Sequence, residues 1–362
     1  MIKNFGIIGC GMIAKFHAKA IKDAKGELVA CYDQVPQAAE RIVREFGGKA
    51  YGSLDSFLAD PNIEIVTIGT PSGAHLDPAV AAAQAGKHVI VEKPLEITLE
   101  RCDRIISACE KAGITLSAIF PSRFHDSSIK IKKAIDANRF GKLTIGDAIV
   151  KWYRTQEYYD SGAWRGTWEL DGGGALMNQA IHSIDLLTWL MGQAVEIRAQ
   201  TALLAHERIA VEDAAVATVR FANGAIGVIE ATTAAYPGYL KRIEIHGTNG
   251  SAVLEEEDIV KWDFATSAPE DAAIRETMAN KLSGGGGAAD PAAIGYHGHA
   301  RQFIDVLDAI NAGRKPLIDG YEGRKSVEII LGIYKAAETG AAVQLPLKND
   351  PELLVRKSGM KR

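Results

Sequence analysis

The chain has 362 residues, of which 47% are hydrophobic and 24% are charged, and its formal net charge is −4. This length is too great for one ordinary core and predicts two domains of roughly 150 residues each. The slightly acidic charge, with basic residues dispersed along the chain, excludes a nucleic-acid-binding protein. The sequence has no signal peptide and no apolar run near the ~18 residues of a membrane span, which predicts a cytoplasmic protein without membrane contacts.

The four cysteines all lie in the first third of the chain, at Cys10, Cys31, Cys102 and Cys109. Their spacings form neither a CxxC pair nor a zinc-ligand set with histidines, which predicts reduced, structural thiols. The nine histidines are scattered, and only His297 and His299 lie close together in sequence. We therefore predict no metal site.

The chain opens with a predicted strand–turn–helix unit. Residues 3–9 form a short apolar run, residues 12–24 form an amphipathic helix, and the turn between them reads GCGMIA. In a GxGxxA turn the first glycine permits the tight bend, the second lets the backbone approach a pyrophosphate, and the helix N-terminus offers N–H groups to the anion. The turn therefore predicts dinucleotide binding, with cofactor contacts from Gly9, Gly11, Met12 and Ile13.

A second predicted strand, residues 26–33, ends in an acid. Asp33 lies 24 residues after Gly9, where a carboxylate is expected to take both ribose hydroxyls of the adenosine. A carboxylate there repels a 2′-phosphate, and the following Gln34 and Val35 bring no positive charge. NAD is therefore the predicted cofactor, and NADP is less favoured.

Helices and strands then alternate, with helices at 38–47 and 77–87 and strands at 63–72 and 88–94. This alternation predicts a doubly wound parallel sheet with right-handed crossovers. Such sheets bind ligands beyond the carboxyl ends of their strands. The side chains predicted at those ends, and hence to contact the cofactor, are Thr70, Pro71, His75, Glu92 and Lys93.

Lys93 stands between a strand and Pro94. Proline lacks the N–H donor and restrains the preceding residue away from helical angles, which fixes the direction of the lysine ammonium. We therefore predict that Lys93 contacts cofactor and substrate and takes part in catalysis.

The character of the chain changes after residue 121. A basic amphipathic helix is predicted within 121–141, and long strands are predicted at 142–155, 195–204, 213–234 and 240–255. Asn223-Gly224 and the HGTNG turn are hairpin signals, so the sheet should be mostly antiparallel, with one face open to a second subunit. The Gly/Ala-rich segment 266–295 is predicted to be a loop. His299, in the next helix, is expected to pack, with a place in the site as the alternative.

The loop 153–179 is rich in aromatic and polar side chains. Sugars are bound by aromatic faces on their C–H surfaces and by planar donors on their hydroxyls. This composition predicts substrate contacts from Arg154, Tyr158, Trp164 and Arg165.

Three glycines, 172–174, precede a predicted helix and are expected to turn the chain past the nicotinamide. Asn178, His182 and Asp185 then follow at the spacing of one helix face. A histidine can accept a proton near neutral pH, and Asn178 is placed to orient a hydroxyl. Asp185 is predicted to contact substrate, and two further roles stay open: it holds the tautomer of His182, or it pairs locally.

These motifs, in order GIIGCGMIAKFHAKA, TPSGAH, VIVEKPLEIT and GGGALMNQAIHSIDLLTWLMG, resemble the glucose–fructose oxidoreductase, inositol dehydrogenase and MocA (Gfo/Idh/MocA) family. The resemblance covers essentially the whole chain. It implies a Rossmann domain, assigned to residues 1–122, and an α+β domain with an open-faced sheet, assigned to residues 123–362, whose C-terminal tail can pack back on the first. It also implies sugar or polyol substrates and a homodimer or homotetramer.

Carried over residue by residue, the lysine of the family's EKP motif is Lys93 and its helical histidine is His182. Many members have an aspartate where this chain has Asn178, a departure that shifts proton transfer to His182 and Lys93.

The sequence as a whole predicts NAD-dependent hydride transfer to or from a secondary alcohol of a sugar, glycoside or inositol. Either His182 accepts the proton while Lys93 stabilises the oxyanion, or Lys93 is the base. The alternative functions are a nucleotide-sugar 3-dehydrogenase, an NAD-assisted glycoside-processing enzyme and a non-catalytic sensor that keeps the NAD fold.

Overall fold

The computed structural model of the protein describes residues 3–279 and 295–352. They form two compact units. The first runs to Pro121 and also contains 170–172 and 295–327, and the second contains the remaining described residues. The assignment of cofactor binding to 1–122 and of substrate binding to 123–362 stays a prediction. In the part of the chain described, no helix combines the length and the apolarity that crossing a membrane requires.

The strands are, in chain order, β1 (Asn4–Ile8), β2 (Glu27–Tyr32), β3 (Lys49–Tyr51), β4 (Ile65–Ile68), β5 (His88–Val91), β6 (Leu116–Ala118), β7 (Leu143–Lys151), β8 (Ala194–Ala202), β9 (Ala214–Phe221), β10 (Ile226–Thr232), β11 (Arg242–Gly247), β12 (Gly250–Glu255), β13 (Asp258–Phe264) and β14 (Val343–Gln344). The α-helices are α1 (Met12–Asp23), α2 (Pro36–Phe46), α3 (Leu54–Leu58), α4 (Leu76–Gln84), α5 (Leu99–Ala112), α6 (Asp126–Asp136), α7 (Gln156–Asp160), α8 (Ile181–Met191), α9 (Glu270–Ala279), α10 (His297–Ala312) and α11 (Gly320–Thr339). A π-helical turn, Ala175–Ala180, leads into α8.

The first unit is built on a six-stranded sheet in the order β3-β2-β1-β4-β5-β6. All its neighbouring strands are parallel, which confirms the predicted doubly wound sheet. The strand order reverses between β1 and β4, the switch point where such sheets bind ligands. Apolar strand residues such as Phe5 and Ile65 are fully buried. Helix α10 completes this core, since Phe303 stacks on Phe5 with ring centroids 5.8 Å apart.

The second unit contains an eight-stranded sheet in the order β13-β12-β11-β7-β10-β9-β8-β14. Its neighbours are antiparallel except for β7 and β10, which run parallel, so the mostly antiparallel prediction is confirmed. The Asn223-Gly224 hairpin joins β9 to β10. There Gly224 has a φ of +88° and the Asn223 side chain accepts the N–H of Ala225 at 3.0 Å.

Burial alternates along β9 between buried and exposed residues. One face of the sheet is therefore covered, and the other, which we name the open face, carries the exposed members Ile145, Val216 and Ile226.

The prediction of a loop over 266–295 is wrong in its first part, because α9 forms there. Asp271 organises the start of this helix: it accepts the N–H of Ala268 at 2.8 Å, the indole N–H of Trp262 at 2.7 Å and a bidentate pair from Arg139. Arg139 lies 132 residues away in the chain, so the local Gly/Ala composition did not reveal this pair. Residues 280–294 lie outside the described residues.

Candidate functional site

The turn between β1 and α1 leaves an approach to the helix N-terminus. Gly9 has a φ of +87°, and a Cβ there would lie 2.7 Å from the carbonyl carbon of Gly69, so glycine is required. A Cβ on Gly11 would instead meet no heavy atom within 4 Å. No side chain of the described residues caps α1 at Gly11. Uncapped N–H groups behind an open glycine fit a dinucleotide pyrophosphate.

Asp33 lies beside this turn. Its Oδ2 accepts the N–H of Cys10 at 2.7 Å, and its Oδ1 accepts the N–H of Val35 at 2.8 Å. The main chain therefore holds the carboxylate at the end of β2, partly exposed, where an adenosine ribose is expected.

The ends of β4 and β5 are joined by His75. Its Nδ1 lies 2.9 Å from the carbonyl oxygen of Pro94 and its Nε2 lies 3.0 Å from that of Thr70. The Thr70 hydroxyl in turn donates to the carbonyl of Ala74 at 3.0 Å. His75 is buried and ties the TPS turn, which includes Pro71, to the EKP turn. The cofactor contacts predicted for Thr70, Pro71 and His75 stay predictions.

Glu92 lies at the end of β5 in a buried cluster. Its Oε1 is 2.9 Å from Nε2 of His17 and 3.6 Å from Nε2 of His299, and its Oε2 accepts the N–H of Lys93 at 3.0 Å. Burial opposes ionisation of this carboxyl, but the hydrogen bonds from the two imidazoles outweigh it and hold the pKa of Glu92 well below its ordinary value. The buried charge thus lies directly behind the backbone of Lys93.

His17 escaped the sequence interpretation, although it is a polar residue on the buried face of α1. Burial lowers the pKa of His17, and its Nδ1 lies 2.9 Å from the Thr67 hydroxyl. The ligand atoms of His17, Glu92 and His299 lie within 4.8 Å of one another. Hydrogen bonding between them accounts for that grouping, and the expectation of no metal stays a prediction.

Lys93 is singled out by its exposure. Every residue from Val89 to Leu99 is buried except Lys93, which is partly exposed. The EKP turn therefore brings one side chain out of an otherwise buried stretch.

The stretch from the three glycines into α8 likewise exposes only a few side chains. Every residue from Asp171 to Leu187 is buried except Asn178 and His182, which are partly exposed. The regular helix face predicted for 178–185 is not formed throughout, since Asn178 lies in the π-helical turn and only His182 and Asp185 lie in α8. π-helical turns occur frequently at functional sites.

Asp185 does not share the exposure of the other two. It is fully buried, and its oxygens accept from Nε and Nη2 of Arg123 at 2.8 and 2.7 Å. This bidentate pair favours an anchoring role for α8. The predicted contacts of Asp185 with substrate and with His182 stay predictions.

The predicted substrate contacts of the aromatic loop lie in one network within the second unit. The Tyr158 hydroxyl accepts from Nη1 of Arg165 at 2.7 Å and from Nε2 of Gln179 at 2.9 Å. Gln179 also accepts from Nη2 of Arg154 at 3.0 Å, and its Nε2 lies 3.2 Å from Oδ1 of Asn178. The guanidinium of Arg165 lies over the rings of Tyr158 and Trp164.

Gln179 joins the loop to Asn178, a link that the sequence interpretation missed. Its only sequence signal was its place directly after Asn178.

The parallel sheet, its glycine turn and the acid after β2 define the class of NAD-dependent oxidoreductases. The chain belongs to the Gfo/Idh/MocA family within that class. Residues 3–120 match the oxidoreductase family with an NAD-binding Rossmann fold, and residues 128–253 match the GFO/IDH/MocA C-terminal domain. The predicted family, fold and NAD cofactor are thereby confirmed.

Relatives of known structure or activity are similar over much of the chain. The WlbA dehydrogenase of Bordetella pertussis, in complex with NADH and UDP-GlcNAcA, is 36% identical with a TM-score of 0.87, over 96% of this chain and 98% of that one. Myo-inositol 2-dehydrogenase of Thermotoga maritima is 31% identical over 68% of this chain and 73% of its own length. Levoglucosan dehydrogenase of Pseudarthrobacter phenanthrenivorans is 30% identical over 73% of this chain and 76% of its own length.

Proposed function

We propose that the protein transfers a hydride between NAD and a secondary alcohol of a sugar, glycoside or inositol. One observation carries this proposal: two otherwise buried stretches, one in each unit, leave partly exposed only the side chains suited to the reaction. These are Lys93 in the first unit and Asn178 and His182 in the second.

Oxidation of an alcohol removes a hydride and a hydroxyl proton. Bound NAD supplies the carbon that accepts the hydride. His182 accepts the proton, Lys93 places its positive charge where the oxyanion develops, and Asn178 orients the hydroxyl. Proton acceptance by Lys93 is the alternative within the same reaction.

The roles of Lys93 and His182 are tested with alanine variants at saturating NAD. Lys93→Ala and His182→Ala should each lower kcat by about 100-fold or more, the usual contribution of a general acid or base. Lys111→Ala and His246→Ala, which change the same residue types away from the proposed site, should keep wild-type rates. A kcat within about threefold of wild type in either site variant refutes the role of that residue. Rescue of His182→Ala by added imidazole would assign the proton to His182.

A nucleotide-linked sugar acid is the second candidate substrate. It is favoured by the 36% identity to a dehydrogenase in complex with UDP-GlcNAcA. Arg165, which is partly exposed, supports it further, because guanidinium groups pair with carboxylates and phosphates in two-point hydrogen bonds.

NADH production across inositols, levoglucosan, aldoses, glycosides and UDP-sugars separates the two candidates. A kcat/KM for UDP-GlcNAcA about 100-fold above the neutral sugars, roughly 2.7 kcal/mol of transition-state binding, makes the nucleotide sugar the substrate. Release of an aglycone without net NADH indicates glycoside processing instead. If no compound is turned over, the non-catalytic sensor is the function that remains.

We also propose a cytoplasmic homodimer or homotetramer that assembles through the open face. Ile145, Val216 and Ile226 are 43%, 53% and 55% exposed there, and Ile226 lies directly beside Ile145. The four cysteines are unpaired and buried, as in proteins of reducing compartments. Light scattering should give a mass that is a multiple of 38.8 kDa, and Ile226→Glu should lower this mass. A wild-type monomer contradicts the assembly.

A further inference from the structure

The start of the π-helical turn, which carries Asn178 and leads into the His182-bearing α8, is held by one residue, Glu212. Its Oε2 accepts the N–H of Gly174 at 3.0 Å, its main-chain oxygen accepts that of Ala175 at 3.1 Å, and its Oε1 accepts that of Leu176 at 2.9 Å. Three consecutive N–H groups, which a helix start leaves without intrahelical partners, therefore end on a single glutamate that lies 38 residues away from Gly174.

A tyrosine from another element fixes this glutamate. The Tyr334 hydroxyl of α11 donates to Glu212 Oε1 at 3.0 Å. The Tyr334 ring packs edge-on against Trp168 with centroids 5.2 Å apart, and the Trp168 indole N–H donates to the carbonyl of Ala210 at 2.7 Å. Glu212 is 5% exposed, so water does not compete for its carboxylate.

Two of the three glycines before the helix are explained by these contacts. A Cβ on Gly174 would lie 1.8 Å from the main-chain oxygen of Glu212, and a Cβ on Gly173 would lie 2.1 Å from the Tyr334 hydroxyl. The third, Gly172, belongs to the first unit, where a Cβ would lie 2.3 Å from Cγ2 of Ile97. The glycine run is therefore required by contacts within the protein, and its expected passage close to the nicotinamide stays a prediction.

We propose that Glu212, braced by Tyr334, is the positioning residue that sets where Asn178 and His182 stand. The carboxylate and main-chain oxygen fix the first turn, which the irregular π-helical geometry from Ala175 to Ala180 would otherwise leave with few constraints. This inference rests on the proposed function, because it uses the reacting roles proposed for Asn178 and His182. Glu212 itself does not contact the substrate and acts only through the helix.

The test is Glu212→Gln, which keeps the side-chain shape but turns an N–H group toward donors that need an acceptor. A displacement of about 1 Å at reacting groups costs on the order of 100-fold in rate, so kcat should fall by about 10- to 100-fold. The KM for NAD should stay within about twofold, because Glu212 lies in the unit without the cofactor turn. The primary deuterium isotope effect on kcat should rise as hydride transfer becomes slower than product release.

Tyr334→Phe is the second variant, since it removes one hydroxyl and leaves the carboxylate. We expect a smaller fall in kcat, about two- to fivefold, again without a change in the KM for NAD. Glu276→Gln, an exposed glutamate of α9, makes the same chemical change away from the helix and should behave as wild type.

Amide hydrogen exchange follows the anchoring without relying on activity. In Glu212→Gln, the amides of 174–178 should exchange at least about tenfold faster, with those of α1 unchanged. Unchanged exchange there, or a kcat within about twofold of wild type in both variants, overturns the proposal. If the wild-type protein oxidises no sugar while exchange responds as expected, the proposed function fails and the anchoring stands.

Discussion

Each unit of the molecule contains a buried glutamate next to the residues proposed to react. The two glutamates differ in the groups that hydrogen-bond to their carboxyl oxygens. Glu92 is held by two imidazoles and one backbone N–H, and its pKa lies well below its ordinary value. Glu212 is held by backbone N–H groups and a phenol, and burial raises its pKa to about 7 although those hydrogen bonds lower it.

The comparison teaches that burial alone does not set the charge of a carboxyl group. Desolvation disfavours the anion in both units, and the partner groups decide whether it is overcome. In the first unit the carboxylate lies at the end of a strand. In the second unit the same type of side chain accepts the N–H groups at the start of a helix.

The largest expected effect is on the stability of alanine variants of the two glutamates. Glu92→Ala removes the acceptor of His17 and of the Lys93 N–H, together with the carboxylate that His299 approaches to 3.6 Å, and should lower the free energy of unfolding by about 3–5 kcal/mol. Glu212→Ala should cost less, about 1–3 kcal/mol, because burial already opposes its charge. Urea denaturation at neutral pH measures both. Glu100→Ala, at a solvent-exposed ion pair of α5, is the control and should change stability by less than about 1 kcal/mol. Equal losses at 92 and 212 would remove the contrast.

The glycine next to Glu212 gives the second prediction. Gly174→Ala forces a methyl group onto the main-chain oxygen of Glu212 and should cost about 2–4 kcal/mol of stability. Gly52→Ala is the matched control, because a Cβ there meets nothing within 4 Å. Thermal unfolding compares them, and a Gly174→Ala protein as stable as the control would show that the turn adapts.

The two carboxyl groups should also give opposite pH dependences. Because the folded-state pKa of Glu92 is depressed, its contribution to stability is present above the unfolded-state pKa near 4.3 and is lost as pH falls below it. Because the folded-state pKa of Glu212 is raised to about 7, its contribution is largest at low pH and declines as pH rises from about 4.3 to about 7, by at most about 4 kcal/mol. Denaturation of wild type, Glu92→Gln and Glu212→Gln between about pH 2 and 8 tests this, because the Glu92 contribution is lost below about pH 4.3, and parallel curves for the two variants would contradict it.

The smallest expected effect is a difference in stability between variants of His17 and His299, the two histidines that contact Glu92. His17 lies 2.9 Å from both Glu92 and Thr67, whereas His299 lies 3.6 Å from Glu92 and its Nδ1 has no hydrogen-bond partner among the described residues. His17→Leu should therefore destabilise the protein by about 1–2 kcal/mol more than His299→Leu. Chemical denaturation of the two variants measures this difference, and the reverse order would mean that His299 is the stronger partner.

Local sequence was sufficient for much of the fold. The glycine turn at Gly9 and Gly11, the acid at Asp33 and the Asn223-Gly224 hairpin were predicted because each depends on backbone angles or spacing within a few residues. Periodicity likewise predicted the parallel and antiparallel sheets. It failed at α9 and at the π-helical turn, where distant partners override local preference.

The sequence by itself determined the family, the NAD-binding turn and the residues offered for reaction, Lys93, Asn178 and His182, because these follow from motifs that are continuous in the chain. Only the tertiary structure decided what holds them. The partners of Glu92, Glu212 and Asp185 come from 75, 38 and 62 residues away. Such pairs leave no periodic signal, since a buried carboxyl group needs donors close in space and places no demand on where in the chain they lie.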